Sequence, residues 1–141
     1  MREIKFRAKS GTQWRYGDLY HNDRGELVIY EPKTSGQTLE GKTVDGWRIV
    51  VDPETVGQFT GLRDENGHEI YDGDIIDVDG EFIAEVIYCD GAYELYTKQG
   101  PLGKLSDIAY EYSLAILDGV IETFSVIGNI HDNPGLLERK P

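Results

Sequence analysis

The sequence predicts a mainly β protein: a small antiparallel barrel or sandwich with one or two short helices. Three observations carry that prediction. Seventeen glycines in 141 residues are too many for a helical chain. Many of them follow Asp or Asn, at Asp45-Gly46, Asn66-Gly67, Asp72-Gly73, Asp79-Gly80, Asp90-Gly91 and Asp118-Gly119. Such pairs tolerate the positive φ angles of the hairpin turns whose twist matches that of the strands they join. Between them the segments are short and rich in β-branched and aromatic residues.

Element by element, Ile4, Phe6 and Ala8 alternate with Lys5, Arg7 and Lys9, which predicts an amphipathic first strand. Trp14 and Tyr16 share a face before Gly17, and residues 27–30 return as a hairpin partner across residues 23–25. Residues 31–45 are polar and rich in Gly, Ser and Thr, which predicts a long loop, mobile or ligand-facing. Residues 47–51 read as a strand, and Pro53 opens a bend that runs to Leu62. Thr60-Gly61 and Asn66-Gly67 punctuate a hairpin returning through residues 69–71. Residues 74–79, 81–88 and 92–97 form a three-strand meander, with Phe82, Ala84, Val86 and Tyr88 on one face and Ile83, Glu85 and Ile87 on the other. Helical spacing occurs once, at Ile108, Tyr112, Ala115 and Ile116, with Ser106 as N-cap and Gly119 as stop. Residues 120–130 read as a last strand and residues 134–139 as a terminal helical turn. A single domain over 1–141 is expected, with 1–60 and 61–141 as possible subdomains.

Charge and composition exclude more than they select. The chain carries 14 Lys and Arg against 26 Asp and Glu, a formal net charge of −12. With 39% hydrophobic residues it is no disordered acidic tail, and no apolar run approaches the roughly 18 residues of a membrane helix. The charged, alternating N-terminus is unlike a signal peptide, and a single cysteine suits a reducing cytoplasm. The long-range field of such a chain disfavours duplex DNA as a direct ligand.

Ile4-Lys5-Phe6-Arg7-Ala8, Trp14-Arg15-Tyr16-Gly17-Asp18-Leu19 and residues 51–62, 67–76 and 126–134 together resemble the YopX-like proteins of phages and prophages. The resemblance implies an SH3-like barrel portion and a cytoplasmic protein made in a bacterial host. It carries no activity, catalytic residue or cofactor onto this chain, and it leaves residues 102–123 unmatched.

Candidate sites are few. Trp14, Tyr16 and Trp47 could stack a ligand on a barrel surface, although aromatics more economically build core. Asp77, Asp79 and Glu81 are the metal candidates, since hard cations want converging carboxylates; a solvated sheet face is the stronger reading, because Asp79-Gly80 is a turn that splays its neighbours. His21, His68 and His131 hold no zinc-ligand spacing with one another or with Cys89. No nucleophile elbow, phosphate-binding glycine loop or dinucleotide fingerprint occurs, and no cofactor is expected. Lys5, Arg7 and Lys9 line one face of the first strand, either solvated or laid against an acidic neighbour. These features predict a non-enzymatic module that binds a host or phage protein, one variant being a DNA mimic. The alternatives are a metal-assisted hydrolase or nuclease using the carboxylates between Asp72 and Glu81, or a homo-oligomeric structural component.

Overall fold

The structure is a computed structural model; it describes residues 4–32, 38–39, 42–43, 46–112 and 119–138. The chain is mainly β; among the described residues it has antiparallel strand ladders and one α-helix, and it divides into two compact units, Met1–Gln58 and Phe59–Pro141.

In the first unit, β1 (Phe6–Ser10), β2 (Gln13–His21), β3 (Leu27–Pro32) and β6 (Gly46–Val50) lie in the order β6-β3-β2-β1. A short ladder, β4 (Thr38–Leu39) with β5 (Lys42–Thr43), stands apart from them. Gly57 and Gln58, the first residues of β7 (Gly57–Arg63), pair with Arg7 and Phe6 on the other side of β1. Gly11, at φ +64, takes the first central position of the two-residue β1–β2 turn, the pattern of a II′ hairpin. Asn22 closes the next reversal, its side-chain oxygen accepting the N–H groups of Arg24 and Glu26, each at 3.0 Å. Ala8, Ile29 and Val51 form the buried centre, with Phe6, Leu19, Leu27, Ile49 and Val56 against them. A 3-10 turn (Pro53–Thr55) clamps β1: the Lys9 N–H donates to the Thr55 hydroxyl at 2.8 Å, and that hydroxyl donates to the Asp52 carbonyl at 2.7 Å.

In the second unit, β8 (Glu69–Tyr71) pairs with the later residues of β7. A five-stranded sheet has the order β12-β11-β10-β9-β13, from β9 (Asp74–Val78), β10 (Phe82–Cys89), β11 (Ala92–Thr97), β12 (Gly100–Lys104) and β13 (Phe124–Asn129). The outermost strand β12 carries Pro101 opposite Tyr96. Helix α1 (Leu105–Tyr112) sets Leu105, Ile108 and Ala109 into a core shared with Ile76, Val78, Ala84, Val86, Leu95 and Phe124. Asp90 and Gly91, at φ +49 and +86, form the two-residue turn between Cys89 and Ala92, as a type I′ hairpin requires. Asp79 and Gly80, at +54 and +73, take the same conformation.

The structure corrects several expectations. β7 replaces the expected bend before Leu62, Gly61 at φ +88 absorbing a bulge within a continuous strand. Glu31 and Pro32 belong to β3 rather than to a loop; residues 33–37, 40–41 and 44–45 of the expected loop lie outside the described residues. Gly46 opens β6 instead of making a turn. At Asn66-Gly67 the glycine alone is left-handed, at φ +80, closing a turn in which its N–H donates to the Asp64 carbonyl at 3.0 Å. α1 starts at Leu105, so Ser106 lies inside its first turn, and residues 113–118 with the expected C-terminal half lie outside the described residues. Among the described residues the strand orders are open, and no sheet closes into the SH3-like barrel that the resemblance implied.

Candidate functional site

Directly opposed residues of an antiparallel ladder put their side chains on one face, so register sorts the first unit into two surfaces. Ala8, Leu19, Ile29, Ile49 and Val51 hold the core face, and Trp47, two residues before Ile49, is on that side. The opposite face starts at Lys9↔Trp14 and Arg7↔Tyr16, continues through Asp18↔Tyr30 and Tyr20↔Val28, and ends at Arg48 and Val50 of β6. The three aromatics expected to bind together are therefore divided: Trp14 and Tyr16 share the outward face, and Trp47 is on the other.

The outward face is an alternation of rings and cations. The Arg7 guanidinium lies 4.7 Å from the Trp14 ring centroid and the Lys9 ammonium 5.7 Å from it. Arg48 lies 5.0 Å from the Tyr30 ring. These are cation–π distances, and they fix each cation in the plane of the sheet surface. Arg7, expected on a solvated or docked basic face, is buried to 7% exposure, because the Trp14 ring shields it. Tyr16, Tyr20 and Val50 stay 41%, 38% and 47% exposed on the same face. A groove of about 320 Å³ adjoins Tyr16, lined by Ile4, Lys5, Tyr16, Gly17, Asp18 and Pro32. Gly17 makes the tight approach possible: a Cβ there would stand 2.0 Å from the Tyr30 carbonyl oxygen. Glu31 steadies the strand beside it, accepting the Tyr16 N–H at 3.2 Å and pairing with Arg15 at 3.6 Å.

The acidic candidate lies in the second unit. Asp77 and Asp79 line a shallow hollow of about 210 Å³ with Glu65 and Glu122, whereas Glu81 follows the reversal and is exposed outside that lining. Strand β9 ends at Val78, so the three acids do not occupy one continuous strand face. Asp77 already accepts the Gly80 N–H at 2.8 Å. Among the described residues no three His, Cys, Asp or Glu side chains gather as a metal site requires.

Cys89 lacks the electrostatics of a nucleophile. The Asp90 carboxylate, then partial desolvation and Glu94, push its thiol above the ordinary value and hold it protonated.

One buried acid escaped sequence reasoning. Asp64 is fully buried, and its carboxylate accepts the N–H groups of Asn66 and His68 at 2.9 Å each and of Val126 at 2.8 Å. Its role is architectural: it ties the β7–β8 connection to β13. Tyr20, Tyr30 and Arg48 were also missed. Period two from Trp14 reaches Tyr20 directly, but Tyr30 and Arg48 join the face only once cross-strand register is known.

Sheets, a single short helix and a ring-and-cation strand face define a small mainly β protein. The chain belongs to the YopX protein family, whose model matches residues 5–138. It is similar in fold to the crystal structure of protein EF1440 from Enterococcus faecalis, at 24% identity and a TM-score of 0.52 over 97% of this chain and 99% of that one. No curated protein matches the chain. The stretches that carry the family resemblance include both the 14–19 segment of the outward face and the turn-forming 126–134 segment. In the latter, the Asn129 side-chain oxygen accepts the N–H groups of His131 and Asp132 at 3.0 and 2.9 Å.

Proposed function

We propose that this protein is a non-enzymatic binding module of phage or prophage type, working in the cytoplasm of a bacterial host, and that it takes its partner on the outward face of β1, β2, β3 and β6. One observation carries the reading. Of the six large hydrophobic side chains left exposed among the described residues, three, Tyr16, Tyr20 and Val50, share one face with Lys9 and Arg48. Clustered exposed apolar surface rimmed by polar groups marks interaction sites, whereas scattered exposure does not. Tyr, Trp and Arg are also the residue types that concentrate binding energy.

The metal-assisted hydrolase is the weaker reading, since Asp77 is engaged in its own turn and Glu81 is outside the hollow. Capture from a bacterial lysate tests the module, comparing the natural chain with the Tyr16→Ala/Tyr20→Ala variant and analysing both protein and nucleic acid in the eluate. Material bound by the first and lost by the second is expected. Identical eluates, or nothing above background, refute the assignment.

A further inference from the structure

From this reading of the outward face we infer the class of its ligand: single-stranded nucleic acid, held by stacking of bases on Tyr16 and Tyr20 and by phosphate contacts to Lys9 and Arg48. Three features converge on it. The first is spacing. Tyr16 and Tyr20 are four residues apart on β2, so their rings stand about 13 Å apart along the surface, with Trp14 two residues before Tyr16 on the same strand and Tyr30 on the neighbouring strand, opposite Asp18. An extended strand with splayed bases meets several rings in such a field; a rigid duplex meets none, because its bases are already stacked on one another.

The second feature is charge. Residues 1–58 contain nine Lys and Arg and nine Asp and Glu, and residues 59–141 contain five and seventeen, so the whole net charge of −12 belongs to the second unit. Repulsion of polyanions, inferred for the chain as a whole, does not describe the first unit. On the outward face itself Lys9 and Arg48 share the surface with Asp18, while Arg7 is buried. At physiological salt, charges more than about 8 Å away are screened, so the local surface governs the contact.

The third feature is preorganisation. Lys9 lies against the Trp14 ring and Arg48 against the Tyr30 ring, each held by its cation–π contact. Little side-chain freedom is left to lose when a phosphate arrives. The groove beside Tyr16, bordered by Lys5, adds a recess for one base at the edge of the field. An acidic protein segment would satisfy the cations but not the row of exposed rings, and is the competing outcome.

The test uses the full chain with fluorescein-labelled oligothymidylate and oligouridylate, read by anisotropy at physiological salt. The Trp47→Phe background leaves Trp14 as the single tryptophan. Binding is expected for the single strands, with quenching of Trp14 emission. Removal of Tyr16 or Tyr20 weakens binding roughly tenfold per ring. Arg48→Gln lowers the slope of log affinity against log salt by about 0.7. A hairpin duplex of the same length competes poorly. Absence of any anisotropy change with the natural chain overturns the inference, as does equal binding by the Tyr16→Ala/Tyr20→Ala variant or by duplex. If the oligonucleotides fail while lysate protein is still captured in a Tyr16- and Tyr20-dependent way, the binding module stands and its ligand is a protein.

Discussion

The two units reach a stable fold by opposite means. Among the described residues the first centres on a small cluster, Ala8, Ile29 and Val51, and carries the exposed Tyr16 and Tyr20 beside the buried Val28 on its other face. The second assembles twelve buried residues, closes one face of a five-stranded sheet with α1, and carries all of the net negative charge. A small core with a wide decorated face suits recognition. A large core inside an acidic shell suits solubility and rigidity. Charge averaged over the chain conceals this division: the −12 describes the second unit and not the first.

The largest effect that would sharpen the contrast is removal of Asp64. Asp64→Ala removes a buried carboxylate that accepts three part-buried N–H groups and is expected to cost about 3–5 kcal/mol. Both tryptophans, Trp14 and Trp47, lie in the first unit, so tryptophan fluorescence follows that unit while far-UV circular dichroism follows both. The variant should lower the dichroism transition first. Coincident loss of both signals would show the two units melting as one.

Gly17→Ala attacks the other half. Its added carbon meets the Tyr30 carbonyl oxygen, so the first unit should lose about 2–4 kcal/mol, visible in the tryptophan signal. Thr55→Val is milder. It deletes the acceptor of the Lys9 N–H and the donor to Asp52, and about 1–2 kcal/mol is expected by urea titration of the same signal.

The smallest effect is electrostatic and confined to the second unit. Burial first, and the neighbouring Asp72 second, raise the Glu85 carboxyl above its ordinary 4.5. The folded state then holds its proton more tightly than the unfolded state. Glu85 therefore favours folding most below about pH 4.5, and this advantage is lost as pH rises through the raised value. Glu85→Gln should melt slightly above the natural chain at pH 7 and level with or below it at pH 4, a difference of under about 2 °C after solvent screening.

Local rules were legible in the sequence. Alternation at Phe82, Ala84 and Val86, and the left-handed pairs Asp79-Gly80 and Asp90-Gly91, specify β9, β10 and β11 almost residue for residue. β12 was not, since Gly100, Pro101 and Gly103 in five residues read as loop, and only pairing with β11 holds them extended. Strand β7 escaped for a related reason, its bulge at Gly61 breaking the period that alternation needs. The binding face was half legible. Trp14 and Tyr16 announce it, but which strand lies beside which is a tertiary fact. The same gap hid that Trp47 lies on the other face from Trp14 and Tyr16 and that Arg7 is buried. Asp64 was invisible because its partners, His68 and Val126, are 4 and 62 residues away.

Pro101 in the terminal strand β12 has a consequence for life in a crowded cell. An imide ring supplies no N–H, so a stray backbone aligning along that border finds a gap in the row of donors it would need. The rim of the five-stranded sheet is thus a poor template for fibre growth, whatever concentration the protein reaches.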